Sequence, residues 1–156
     1  MRVHLNVVGR LRAGPELTLI DDYLQRFDRT GRALGLGPAQ LHEVEDRKGG
    51  GMTAEAALLE RSLPAGALLC TLDERGKTLT SPDFAELLAR WRDNGRQDVA
   101  FVIGGADGID PGLRAKADFS LSFGKMVWPH MLVRVMLAEQ LYRAASILAG
   151  APYHRA

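Results

Sequence analysis

The sequence predicts an α/β fold built on a mainly parallel sheet flanked by helices. Stretches with strand character alternate along the chain with stretches of helical spacing, the order that βαβ units produce. Two strand candidates, 67–72 and 98–103, are short and almost unbroken in apolar residues, as strands covered on both faces are. The chain has 156 residues, no repeat and no long linker, so a single domain spanning 1–156 is expected.

Residues 3–8 form the first strand. Residues 15–32 carry Leu17, Ile20, Leu24 and Phe27 at helical spacing, and Pro15 suits a first helical turn. Residues 40–45 alternate as a second strand, and the charged and glycine-rich run 46–51 predicts a mobile loop. A short helix at 53–63 is broken by Pro64-Ala65-Gly66. After the strand at 67–72, Ser81 is expected to cap a helix, with Pro82 at its first position and Asp83 at the positive end of its dipole. Phe84, Leu87, Leu88 and Trp91 share one face of that helix, and Asn94-Gly95 ends it. A strand at 98–103, a short helix at 111–117, a short strand at 119–122 and a long helix at 130–149 complete the pattern. Parallel sheets bind ligands at the carboxyl ends of their strands. Chemistry is therefore expected at Leu72-Asp73, Gly104-Gly105 and residues 123–128.

Bulk properties exclude several classes. No apolar run approaches the ~18 residues of a membrane span, and the first residues are too interrupted for a secretory signal, so a cytoplasmic protein is expected. Cys70, the only cysteine, sits in an apolar run and reads as a core thiol rather than a nucleophile. The four histidines show no metal-ligand spacing, and no metal is expected. His4 and His42 read as solvated or satisfied strand residues, and Asp73-Glu74 as solvated turn acids. The net charge is only +1, but it is uneven: residues 51–124 hold eight bases and eleven acids, whereas residues from Lys125 onward hold four bases and one acid. A basic end suits an anionic partner, although chance clustering gives the same count.

Three stretches stand out. Ile103-Gly104-Gly105-Ala106-Asp107-Gly108 follows a strand but is neither a dinucleotide fingerprint nor a Walker loop. Its spacing fits a tight turn and a ligand loop equally. Residues 122–130 are irregular and apolar, which suits a flat heteroaromatic ring or a loop packed under the last helix. In that helix Arg134 falls within the most apolar face, with Leu137, Ala138, Leu141, Tyr142, Ala145 and Leu148 within about 80° of it. A charge there needs a partner or a ligand, or must snorkel. A helix apolar over so much of its girth also suggests a subunit interface. The end, Pro152-Tyr153-His154-Arg155, combines a ring that can stack on a base, an imidazole that can move protons and a guanidinium that can grip phosphate.

Together these residues resemble one family. Val102 through Gly108, Leu121 through His130, Val133-Arg134-Val135, Glu139 through Ala144 and Pro152-Tyr153-His154-Arg155 are similar to the RlmH family, the large-subunit rRNA pseudouridine N3-methyltransferases of the SPOUT class. Thr71-Leu72-Asp73, Gly76-Lys77 and Val7-Val8-Gly9 extend the likeness from Met1 to Arg155. The resemblance implies a C-terminal trefoil knot, a homodimer formed through it, and S-adenosyl-L-methionine bound in the knot. By motif match the cofactor residues are Leu72, Gly104, Gly105, Phe123, Gly124, Lys125, Met126, Val127 and Trp128. The implied substrate is a pseudouridine in the helix 69 hairpin of 23S rRNA on the assembled ribosome. Methyl transfer to N3 requires the N3 proton to leave, so a general base would help. His154 and His130 are the candidates, with Arg134, Arg143, Tyr153 and Arg155 orienting RNA. The resemblance also implies that the tail reaches the partner subunit's cofactor pocket. This sequence departs from relatives in its glycine-rich loop at 46–52 and in Ala156 after Arg155. Two rival readings remain: a related knotted methyltransferase acting on tRNA or another RNA, and a catalytically inert ribosome-binding factor.

Overall fold

In the computed structural model, which describes residues 1–155, five strands form one sheet and every neighbouring pair is parallel. The strands are β1 (Arg2–Val8), β2 (Ala39–Val44), β3 (Leu68–Thr78), β4 (Asp98–Ile103) and β5 (Phe119–Ser122), in the order β2-β1-β4-β3-β5. The helices are α1 (Pro15–Gly31), α2 (Gly51–Ser62), α3 (Ser81–Asp93), α4 (Pro111–Ala115) and α5 (His130–Leu148), with a 3-10 turn at Arg32–Leu34 after α1. Among these helices none is long and apolar enough to cross a membrane.

Alternation along the strands sends side chains to two cores. Val3, Leu5 and Val7 of β1 face α1, α3 and α5, together with Cys70, Phe101 and Leu121. Val8, Leu69 and Val102 face Ala56 and Leu59 of α2 and Leu113 of α4. Burial pushes the Cys70 thiol pKa up and keeps it protonated, as its apolar run predicts.

The chain departs from its sequence reading in five places. Helix α2 starts at Gly51 rather than Thr53, after a turn in which the Asp46 carboxylate accepts from the amides of Lys48 (3.1 Å) and Gly50 (2.5 Å). Thr80, not Ser81, caps α3 by accepting from the Asp83 amide at 3.2 Å. Ser81 instead donates to Gln140 of α5 at 2.7 Å. The strand β3 does not stop at Leu72. Both Leu72 and Lys77 pair with Leu121, so residues 73–76 bulge out and pairing then resumes. Gly76 makes this possible, because a Cβ there would lie 2.7 Å from the Ser120 backbone. Asp73, expected in solvent, is 5% exposed; its Oδ1 accepts from the Arg75 amide and Nε, and its Oδ2 lies 3.5 Å from Arg114. Burial works to raise the Asp73 pKa, but the Arg75 hydrogen bonds and the two guanidinium charges prevail and hold it below the usual carboxylate range. The apolar girth of α5 is also partly used within the chain, since the helix packs against both α1 and α3. What stays exposed is its start, with Met131 at 38% and Leu132 at 41%.

Candidate active site

The carboxyl ends of β3, β4 and β5 lie along one rim, and the segments that follow them enclose a cavity of about 660 Å³. That size suits a small-molecule ligand. Its walls are the β3 bulge with Leu72, the turn 103–109, Phe123-Gly124 and residues 126–130. Three separate sequence signals therefore converge on one site, as strand ends in a parallel sheet do.

The glycine turn is both tight and a wall. A Cβ on Gly104 would collide with the Gly108 carbonyl, so no other residue allows this closure. The Gly108 amide donates to the Gly105 carbonyl at 3.0 Å and fixes the turn. Opposite, Ser122 joins the other two walls. Its hydroxyl lies 3.1 Å from the Glu74 carbonyl and 3.0 Å from the Gly124 carbonyl, and it accepts from the Gly124 amide at 3.1 Å. Beside Gly124, at φ +115, nothing lies within 4 Å of where a Cβ would stand. Leu72, Ile103, Phe123 and Trp128 line an apolar slot edged by backbone groups, and the charged lining is Asp73, Glu74 and Asp107 against Arg75. Such a slot takes a flat heteroaromatic ring, and the acidic excess favours a cationic ligand over a phosphate.

His130 lines the same cavity, at the start of α5. Burial, and then the positive charge of Arg134 one turn on, hold its pKa below the ordinary histidine value. Its Nδ1 is buried without a partner among the described residues. Arg134 itself is 1% exposed, donating from Nη2 to the Val8 carbonyl and from Nη1 to Glu43 at 3.4 Å. The charge on the apolar face thus finds its partners inside the chain and ties the ends of β1 and β2 to α5. Lys125 is exposed on the loop and does not line the cavity.

The tail forms a second cluster, apart from the cavity. Glu139 Oε1 accepts from Arg143 Nε (2.9 Å), from Arg143 Nη2 and from the Tyr153 hydroxyl (3.0 Å). Arg143 Nη1 lies 3.1 Å from His154 Nδ1, and the Arg143 guanidinium sits 4.8 Å from the centre of the Tyr153 ring. Tyr153 also packs on Tyr142, with ring centres 4.6 Å apart. Arg155 is exposed. The sequence reading named Arg143, Tyr153 and His154 but missed Glu139, the group that gathers them; its i, i+4 spacing to Arg143 was the available signal. None of the three lines the cavity of its own chain.

A parallel α/β domain with an apolar, acid-rimmed cavity at its strand ends defines a class of ligand-binding enzymes, and comparison with known proteins narrows it. Residues 1–154 match the family described as "Predicted SPOUT methyltransferase". The chain is 77% identical over 155 residues to "Ribosomal RNA large subunit methyltransferase H" of a Ruegeria species and 78% identical to the protein of that name from Ruegeria pomeroyi. Each match covers 99% of both chains. The solved structure of a probable methylase family protein from Haemophilus influenzae superposes with a TM-score of 0.54 at 12% identity, covering 99% of this chain and 70% of that one, a likeness of fold. The chain belongs to the SPOUT methyltransferase family.

Proposed function

We propose that the chain is an S-adenosyl-L-methionine-dependent methyltransferase of large-subunit ribosomal RNA. It acts in the cytoplasm as a homodimer, on N3 of a pseudouridine in the helix 69 hairpin of 23S rRNA within the ribosome. The observation that carries this reading is the cavity at the strand ends in a chain of this family. The names of the relatives support ribosomal RNA as substrate, and the motif resemblance supports the particular nucleotide.

The residues fit the methyl donor. The apolar slot suits an adenine ring, and the acidic rim suits a sulfonium and an ammonium. Leu72, Gly104, Gly105 and the segment Phe123, Gly124, Met126, Val127 and Trp128 would hold it, with Lys125 carried on the same loop but off the cavity wall. When bound, S-adenosyl-L-methionine supplies an electrophilic methyl group. The chain's own task is to position the imide nitrogen of the base and help its proton leave. His130, beside the cavity, and His154, on the tail, are the groups able to act on protons, and Arg143, Tyr153 and Arg155 grip the RNA. Arg134 acts from beneath, by holding Val8 and Glu43 under the rim.

Two observations support the homodimer. Met126, Val127 and Trp128 are 75%, 81% and 41% exposed and run directly into exposed Met131 and Leu132, an apolar lip that a second copy would cover. The tail cluster does not line its own cavity, so the partner's cavity is where it would work. The trefoil knot implied by the resemblance belongs to the same reading, with residues 123–129 leading from β5 into α5.

The decisive test offers labelled S-adenosyl-L-methionine with free 23S rRNA, tRNA, isolated subunits and whole ribosomes. Methylpseudouridine is then mapped by nucleoside mass spectrometry. Label confined to ribosomal RNA in whole ribosomes is expected. Transfer to tRNA would give the first rival reading its place, and cofactor binding without transfer to any of them the second.

A further inference from the structure

The tail cluster fixes more than the position of its members. An arginine guanidinium has only donors, so where Arg143 Nη1 meets His154 Nδ1 at 3.1 Å the ring nitrogen must accept. A neutral imidazole has one lone pair and one N–H. With the lone pair committed at Nδ1, the proton sits on Nε2, which makes no hydrogen bond within the described residues and is not buried. Arg143 is in turn aimed by two bonds to Glu139 Oε1, and the same oxygen takes the Tyr153 hydroxyl.

We propose that Glu139 is the positioning residue of the C-terminal tail, and that through Arg143 it holds His154 as a hydrogen-bond donor at Nε2 rather than as a general base. All four residues belong to one chain, Glu139 and Arg143 on α5 and Tyr153 and His154 just beyond it, so their mutual geometry travels intact to whichever cavity the tail serves. The group such a donor fits is a carbonyl oxygen of the target base. As N3 loses its proton to water, negative charge grows on the flanking carbonyl oxygens, and an oriented N–H stabilises it. Tyr153 is held in the same frame. Burial, then its interactions with Tyr23 and Glu139, push its phenol pKa up, so it stays a neutral phenol whose one proton is committed to Glu139.

This inference rests on the methyltransferase reading for its chemistry but not for its geometry, and the experiment separates the two. In 15N-histidine-labelled wild-type protein without RNA, the His154 resonances are expected to show an Nε2–H tautomer. In Glu139→Gln, which keeps size and helical propensity, that pattern is expected to give way to a tautomer mixture. At saturating S-adenosyl-L-methionine, single-turnover methylation should fall roughly tenfold or more. Glu139→Asp, whose shorter arm cannot reach both partners, should show the same tautomer mixture and a similar loss of rate. An Nδ1–H tautomer in the wild type, or a Glu139→Gln protein with wild-type tautomer and rate, overturns the proposal. If the tautomers behave as expected and no RNA is methylated even by the wild type, the functional reading fails and the positioning role of Glu139 stands.

Discussion

Gly104 shows how little tolerance the cavity wall has. Its missing Cβ is occupied by the Gly108 carbonyl, so Gly104→Ala must open the turn. Calorimetry with S-adenosylhomocysteine is expected to show affinity lower by roughly tenfold or more, with an unchanged far-ultraviolet spectrum, because the strain is local. His130 makes a prediction of the opposite kind, about protons. Its pKa in the folded chain lies below the unfolded value of about 6.5, so the unfolded chain binds the proton first. Stability therefore rises with pH across the window from the folded pKa up to about 6.5, and is fully present above it. His42, lowered by burial and by His4, adds a slope of the same sign. Urea unfolding between pH 5 and pH 7.5 should accordingly be less pH-dependent in His130→Gln than in the wild type, with part of the slope remaining. Most residues of the cavity were legible in the sequence because glycines after a strand and an apolar loop are local signals. Glu139 offered only its i, i+4 spacing to Arg143, and its bond to Tyr153, 14 residues away, comes only with folding.

At the scale of elements, Arg134 joins three of them. It reaches from α5 to the Val8 carbonyl at the end of β1 and to Glu43 in β2, and Glu43 also accepts from the Leu11 amide at 2.7 Å. Removing one partner from such a buried set leaves the others unpaired, so Arg134→Ala should cost roughly 3 kcal/mol in urea unfolding. A Glu43→Gln change should also destabilise, since it leaves the buried guanidinium without a counter-charge. The helical spacing of the sequence located Arg134 on an apolar face, but the identity of its partner depends on sheet order, which no local pattern records. The bulge in β3 escaped for a related reason. Residues 73–76 are polar and read as a turn, whereas pairing with β5 resumes beyond them because Gly76 lets the Ser120 backbone come close. Thr80 and Ser81 are both competent caps, and contact between Ser81 and Gln140 decides between them.

Across the whole molecule, the apolar lip and the tail are the two features that the proposed homodimer would use. Leu132→Glu places a charge within that lip, where Leu132 is 41% exposed and makes no core contribution. Sedimentation is expected to show self-association weakened by roughly a hundredfold, with cofactor binding per chain retained and methylation lost. An equally active monomer would remove the composite site. The parallel sheet itself was the most legible feature, because alternating strands and helices of this length allow few other arrangements. Its strand order was not, since that is set by which helix covers which face.

The sealed thiol of Cys70 has a practical corollary. Buried at 0% exposure with its pKa pushed up, it leaves the native surface without a reactive sulfur among the described residues. A cysteine introduced at exposed Ala151 would then be the single point at which a maleimide spin label attaches. Labels on the two protomers of the proposed dimer would act as a molecular ruler, reporting the separation of the two tails with and without cofactor.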